Sequence, residues 1–308
     1  MSQRARSQRA QIGLLPDGRR LHLHDGPIDV IVEAFGDAFE INAAYAAAAN
    51  RFVTVLDELC GELQFLRQPA EEHSAPPAGV VATRMFAAVV PYCRRTFITP
   101  MAAVAGAVAE EILGSMTAAA ELARAYVNNG GDIALHLAPG EHFVVGMAER
   151  PDCCPSLFGT AILNSTQPVR GIATSGWRGR SFSLGIADAV TVLADRAAMA
   201  DAAATIIANA VDLPGHAEIT RVRARHLAPD SDLGDRLVTQ AVGDLDFREI
   251  VSALDAGVAV AQSLLSDGLI RAAALHLRGN TRVIGETLKA ELSVTAQPAP
   301  SRRSLIHA

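Results

Sequence analysis

The sequence predicts a mixed α+β fold, a single large domain in which helices pack on a mixed sheet. Three observations carry that expectation. Apolar residues alternate in short runs along parts of the chain and recur at helical spacings along others. No segment repeats at a solenoid period. Half of the 308 residues are hydrophobic and only 5% are aromatic, which allows a sizeable core and, with abundant alanine, suits closely packed helices.

Residues 1–20 carry basic and polar side chains without periodicity and are expected to form a flexible basic arm, with order beginning near Leu21. His24-Asp25-Gly26-Pro27 is turn chemistry, and residues 28–34 alternate as a strand that Gly36 ends. Across 37–65 the apolar positions Phe39, Ala43, Ala46, Phe52, Val55, Leu59 and Leu63 fit one long helix. The proline-bearing stretch 68–79 reads as a surface connection. Thr99-Pro100 predicts a helix start, a capping hydroxyl before a proline whose fixed φ suits the first turn, and this helix runs to about Leu113. Its face of Ala102, Ala105, Gly106 and Ala109 is so small that something must come close, either a packed element or a ligand.

Strand-like runs at 125–127 and 133–137 flank the polar block Asn128-Asn129-Gly130-Gly131-Asp132. Further strands are expected at 160–163, 169–173, 189–194 and 218–224, and a helix at 197–211. Phe247, Ile250, Val251, Leu254, Val258, Ala261 and Leu265 make one stripe of an amphipathic helix, preceded by Asp246 and Glu249 at capping-box spacing. Residues 291–308, with Pro298, Pro300 and two arginines, read as a disordered tail.

Charge and cysteine usage exclude several classes. With 27 Lys+Arg against 33 Asp+Glu the formal charge is −6, which argues against a nucleic-acid partner. The mean hydropathy of +0.21 raises the question of a membrane, but the most apolar runs, 101–108 and 197–211, are interrupted or bounded by Glu110, Glu111, Asp201 and Asn209, so no spanning segment is expected. The apolar run 12–15 is too short for a signal peptide. Cys60, Cys93 and the adjacent Cys153 and Cys154 form neither a CxxC nor a disulfide framework, so the expectation is a reduced, cytoplasmic protein, with homo-oligomerisation left open.

Four groups carry candidate chemistry. In Asn129-Gly130-Gly131-Asp132 the glycines let backbone amides reach a ligand and the carboxylate can hold a ribose, an amide edge or a cation; a plain hairpin turn is the alternative. Thr174, Ser175 and Gly176 leave a strand with hydroxyls suited to phosphate oxygens, and Trp177, the only tryptophan, follows. Neither Gly-x-Ser-x-Gly nor an Asp-His pair accompanies Ser175, so serine hydrolysis is not expected. Asp201 and Thr205, four apart on one helix face, form an oxygen-only pair suited to Mg²⁺; the alternative is an exposed Asp201 beside a core Thr205. His22-x-His24-Asp25 lacks a third ligand at a useful spacing, and His136 and His142 read as ordinary strand or loop residues.

Taken in order, the segments His24-Asp25-Gly26-Pro27-Ile28-Asp29, Phe97-Ile98-Thr99-Pro100-Met101-Ala102-Ala103-Val104-Ala105-Gly106, Asn128-Asn129-Gly130-Gly131-Asp132-Ile133, Thr174-Ser175-Gly176 and Ala187-Asp188-Ala189-Val190-Thr191-Val192 resemble an uncharacterised bacterial and archaeal family throughout. That family's relatives are the ApbE-type FAD:protein FMN transferases, and the resemblance spans about residues 21–290. The link to ApbE rests on the Gly-Gly-Asp turn, the Thr-Ser-Gly loop and the helix bearing Ala200, Asp201 and Thr205. It implies an ApbE-like fold that takes FAD, FMN or a related nucleotide as small-molecule partner. By motif, Asp201 and Thr205 become Mg²⁺ ligands, Asn129, Gly130, Gly131 and Asp132 nucleotide contacts, and Thr174, Ser175 and Gly176 cofactor contacts. A bound nucleotide would then explain the small face around Gly106.

ApbE enzymes carry a lysine before the glycine of the small-residue helix and a His-Ile-Ile-Asp-Pro-like segment after the Thr-Ser-Gly loop. Here Ala105 precedes Gly106, and Ser181-Phe182-Ser183-Leu184-Gly185 holds no histidine, so no catalytic residue is assigned and weak FMN transfer is expected. Occurrence of the family in methanogens and methylotrophs implies, as alternatives, a step in making a methanopterin- or methanofuran-type one-carbon cofactor, or a non-catalytic flavin or nucleotide carrier.

Overall fold

The computed structural model describes residues 9–148, 157–285 and 305–307, a mixed α/β fold of helices and mainly antiparallel strands. The chain divides into two compact units, neither of them one continuous segment. The first comprises Met1–His142, Asn164–Ile172 and Arg196–Met199; the second comprises Phe143–Leu163, Ala173–Asp195 and Ala200–Ala308.

In the first unit, strand β1 (Gln11–Leu14) pairs with β2 (Leu21–Asp25), so part of the segment expected as an arm is built into the sheet. The turn between them is held by Asp17, whose carboxylate accepts from the Arg19 and Arg20 amides at 2.9 and 3.0 Å. All four residues of β1 are exposed, so no apolar alternation marks it. β2 joins β3 (Ile28–Phe35) through the expected turn, where Gly26 has φ 58°. Helix α1 (Ala38–Gly61) starts at Asp37, whose side chain accepts from the Phe39 amide, and buries Ala44, Ala48, Phe52, Val55 and Leu59 along one face. It packs on α3 (Val104–Ala119), with α2 (Val80–Val89) alongside.

The 3-10 turn Pro100–Ala103 leads into α3; proline occupies its first positions as expected, but Thr99 makes no side-chain cap bond there. Strands β4 (Arg124–Asn129) and β5 (Asp132–Leu137) complete the antiparallel order β1 to β5, and residues 171–172 pair beside β5. Leu23, Val30, Val32, Val127 and Ile133 are fully buried under these helices.

The chain continues through β6 (His142–Ala148), β7 (Leu157–Asn164), β8 (Gly171–Ser175), β9 (Ala189–Ala194) and α4 (Ala197–Ala210), the last within one residue of its expected end. There follow β10 (Ile219–Arg223), β11 (Leu237–Val242), α5 (Phe247–Ser266), β12 (Ala272–Leu277), β13 (Asn280–Ile284) and β14 (Leu305–His307). In the second unit, β12 lies antiparallel between β9 and β13, and α5 packs on β12 and β13. Every residue of β9 and β12 is buried, so neither shows the alternation of a half-buried strand.

Helix α5 has the expected capping box, with Asp246 accepting from the Glu249 amide and Glu249 from the Asp246 amide. Its buried face is rotated from the expected stripe: Ala253, Gly257 and Leu264 join Ile250, Leu254 and Ala261, while Phe247 is exposed. Of the expected tail, Leu305–His307 form a strand parallel to β6, and the rest of 291–308 lies outside the described residues, as do residues 1–8, Cys153 and Cys154. Cys60 and Cys93 are free thiols. By length and composition alone, Pro100–Ala119 and Phe247–Ser266 are apolar enough to cross a membrane, but the first buries Ala107, Val108, Ala109, Ile112 and Met116 within the protein.

An ion-pair network ties the helices of the first unit together. Arg51 and Arg84 reach Glu111 at 2.6 and 3.0 Å, and Arg84 and Arg196 reach Glu110 at 3.0 and 2.8 Å. Burial pushes the Glu111 carboxyl up, yet the hydrogen bonds from Arg51 and Arg84 outweigh it and hold the group below the usual glutamate range. A carboxyl lowered by folding stabilises the fold above its unfolded pKa, and that stability is lost as pH falls toward the folded value. Thermal midpoints are therefore expected to fall through the acid range, with a shallower slope in Glu111→Gln; parallel curves for the two proteins would remove Glu111 from the account.

Candidate functional site

In the first unit, the Gly-Gly-Asp segment is the two-residue turn joining β4 to β5. Asn129 stands opposite Asp132, and Gly130 and Gly131 take φ of 69° and 111°, backbone that side-chain-bearing residues rarely adopt. The Asn128 carboxamide oxygen accepts from the Gly131 amide at 2.8 Å, so one of the two glycine amides is spent inside the turn. A Cβ at Gly131 would meet nothing within 4 Å, so φ and not crowding requires the glycine. Asn129 is buried and its amide donates to the Ala105 carbonyl at 3.2 Å, fixing the turn to the start of α3.

The small face of α3 has a protein explanation. A Cβ on Gly106 would come within 2.5 Å of the Ala197 carbonyl carbon and 2.8 Å of the Ala198 nitrogen. Gly171, at the start of β8, meets the Arg196–Ala197 peptide equally closely. Backbone thus fills the position that a Cβ on Gly106 would take, while Ala102 and Ala105 on the same small face stay half-buried. The Ala198 amide donates to Glu110 at 2.8 Å, so the first turn of α4 is already supplied with a carboxylate from the protein itself.

In the second unit, Thr174 shares a hydrogen bond with the buried Thr191 hydroxyl at 2.9 Å. The Ser175 side chain is half-buried and makes no hydrogen bond among the described residues. Gly176 passes so close to the next strand that a Cβ there would lie 2.5 Å from the Asp188 carbonyl oxygen. Asp188 is buried and accepts from the Trp177 indole at 3.1 Å, the Arg178 Nε at 2.7 Å and the Arg278 amide at 2.7 Å. Asp201 and Thr205 are half-buried, one turn apart on α4, and the Thr205 hydroxyl makes no hydrogen bond among the described residues. Outside these groups, His22 and His24 flank Asp29 across the β2–β3 hairpin, with His22 Nε2 at 2.8 Å and His24 Nδ1 at 3.7 Å.

A family model described as "AbpE bacteria" matches residues 12–283. The chain belongs to that family. Among proteins similar to this AbpE-family chain, the UPF0280 protein of Methanopyrus kandleri is 43% identical over 113 residues, 36% of this chain and 43% of that protein. The UPF0280 protein of Methanococcoides burtonii is 40% identical over 121 residues, 39% of this chain and 48% of that protein. The chain thus spans somewhat under half the length of these relatives. A solved structure of the flavin transferase ApbE from Vibrio cholerae, a histidine-to-glycine mutant, aligns with 91% of this chain and 98% of its own, at 12% identity and a TM-score of 0.35.

The two departures noted in the sequence have clear surroundings in this AbpE-family chain. The Ala105 carbonyl is engaged by Asn129. Segment 181–185 is fastened to the end of α4: the Asn209 carboxamide oxygen accepts from the Ser183 hydroxyl at 3.2 Å and from the Leu184 amide at 2.8 Å. A Cβ on Gly185 would also fall 2.8 Å from the Val211 carbonyl oxygen. No local pattern in the sequence marks Asp188, Arg178, Arg278 or Glu110 as functional. The adjacency of Trp177 and Arg178 to the Thr-Ser-Gly loop was the available signal for one of them, whereas Asp188 and Arg278 lie 90 positions apart and meet only in the fold.

Proposed function

We propose that this protein binds a flavin or related nucleotide together with Mg²⁺, and that its chemistry departs from FMN transfer. The observation that carries this reading is the family match over residues 12–283, which takes in the Gly-Gly-Asp turn, the Thr-Ser-Gly loop and the Asp201–Thr205 helix face together. The unspent Ser175 and Thr205 hydroxyls support it, since each offers a donor and lone pairs to a ligand. The donor chemistry also fits the metal. A carboxylate and a hydroxyl are too few for an all-protein cage but suit Mg²⁺, which keeps several waters and completes its shell with substrate phosphates. Asp201 and Thr205 would hold the ion, and the ion would neutralise phosphate charge.

Calorimetric titration with FAD, with and without Mg²⁺, tests the reading, and absorbance of the purified protein tests for a retained flavin. Asp201→Asn is expected to weaken Mg²⁺-dependent FAD binding by at least about tenfold while leaving the melting temperature within a few degrees, because asparagine keeps the size and hydrogen-bonding oxygen of the side chain and removes the charge that the ion would need. Equal affinity in both proteins, with and without Mg²⁺, would return Asp201 to an ordinary helix-surface role.

A further inference from the structure

Arg178 is held differently from the arginines that only tie the structure together. Arg271 grips Asp195 with two parallel bonds of 2.6 Å, from Nε and Nη2 to the two carboxylate oxygens, and Arg9 grips Asp25 in the same way at 2.6 and 2.8 Å. Such bidentate pairs use the guanidinium fork on the partner. Arg178 touches Asp188 through Nε alone, at 2.7 Å, and its guanidinium lies over the Trp177 ring, 4.4 Å from the centroid. Neither of its terminal amines has a partner among the described residues, and the side chain retains 21% exposure. The group is therefore fixed at its base and along its face while the two-pronged end stays unspent.

Asp188 has no comparable freedom. It is buried, one oxygen accepts from Trp177 and Arg178, and the other accepts from the Arg278 amide in the β12–β13 turn. Arg278 is held there at φ 49°, a left-handed conformation uncommon for its residue type, and its Nη2 donates to the Val242 and Gly243 carbonyls. Its Nη2 is thus committed to the fold, and its buried Nε has no hydrogen-bond partner among the described residues. Arg178 differs in that both of its terminal amines are unspent on a part-exposed side chain, three residues after the unspent Ser175 hydroxyl.

We propose that Arg178 is the phosphate-reading arm of the loop after β8, its two terminal amines gripping the phosphoryl oxygens of the ligand while Asp188 and Trp177 position it. Preorganisation suits this task, because a guanidinium already immobilised loses little further entropy on binding and presents two donors at the spacing of phosphate oxygens. The inference rests on the nucleotide reading above for the identity of the complete ligand, but not for the anion itself, which inorganic pyrophosphate can represent.

Trp177 is the only tryptophan in the chain, so its fluorescence reports on this site alone. Titration of the 308-residue chain with pyrophosphate is expected to change Trp177 emission saturably, whereas riboflavin, which has no phosphate, is not. Arg178→Gln should weaken pyrophosphate binding at least about tenfold, the loss expected for a charge-assisted pair of hydrogen bonds. Arg178→Lys, which keeps the charge and loses the fork, should fall between the two and carries the test if the glutamine variant fails to fold. Wild-type pyrophosphate affinity in the folded variants, or no saturable response in the wild type, overturns the proposal. FAD bound equally by wild type and Arg178→Gln would refute the role of Arg178 and leave the flavin reading standing. Pyrophosphate bound through Arg178 with no binding of FAD would do the reverse.

Discussion

Gly171→Ala is expected to destabilise the protein by about 3 kcal/mol, and Gly106→Ala by about 2 kcal/mol, against the sign that intrinsic propensity gives. Alanine is favoured over glycine by roughly 0.5–1 kcal/mol in regular structure, so both substitutions would help if the sites were open. They are not open. The two glycines close on one short stretch of backbone: a Cβ on Gly171 would sit closer than 3.0 Å to the carbonyl carbon and oxygen of Arg196 and the nitrogen of Ala197, and one on Gly106 would meet the Ala197 carbonyl and Ala198 nitrogen. Backbone held by the Ala198–Glu110 bond and by the first turn of α4 cannot move aside as a flexible side chain would. Gly106 is given the smaller loss because helix propensity returns part of the steric cost. The double variant should lose less than the sum, since one displacement of residues 196–198 relieves both clashes. Equilibrium denaturation of the three variants decides this; a Gly171→Ala midpoint equal to wild type would mean that the pinch is relaxed in solution.

The same pinch shows where the sequence stops being legible. That Gly106 needed a close neighbour could be read from the run of small residues, but the neighbour, Ala197, lies 91 positions further along the chain, and nothing local tells backbone from nucleotide. Features set by local chemistry were legible: the Asp25-Gly26 turn, the start of α1 at Asp37, the capping box at Asp246 and Glu249, and α4 to within a residue. Elements without periodicity were not. β1 is exposed on all four residues and β12 buried on all six, so each lacks the alternation that marks a half-buried strand. At the candidate site, the Thr-Ser-Gly loop and the Asp201–Thr205 pair could be named from sequence, whereas the role of Asp188 could not. It depends on partners 10, 11 and 90 positions away, brought together by the packing of β9 beside β12.

Incubation of the protein with FAD, Mg²⁺ and a threonine-bearing acceptor protein is expected to give little or no FMN adduct by mass spectrometry. Loss of a general base costs roughly 10²–10⁴ in rate, and the segments that resemble the ApbE lysine and histidine positions carry neither. Their surroundings leave little room for a local substitute. Ala105 has only a methyl group to offer, and residues 183–185 are bound to Asn209 and pressed against the end of α4. The nearest histidines in sequence to the Gly-Gly-Asp turn are His136 and His142, and His136 is poorly placed to replace the missing base. It lies four residues along β5 from Asp132, about 13 Å in a strand, and its Nε2 is 3.1 Å from the Leu122 carbonyl, the geometry of an N–H donor committed to the backbone. His142 is exposed at the start of β6 and is the better candidate if transfer occurs at all. The comparison of wild type with His136→Ala and His142→Ala is therefore informative in either direction. No adduct in all three agrees with the expected lack of transfer, whereas efficient labelling of the acceptor by the wild type would contradict it, and loss of that labelling in one variant would identify the residue that took over the proton.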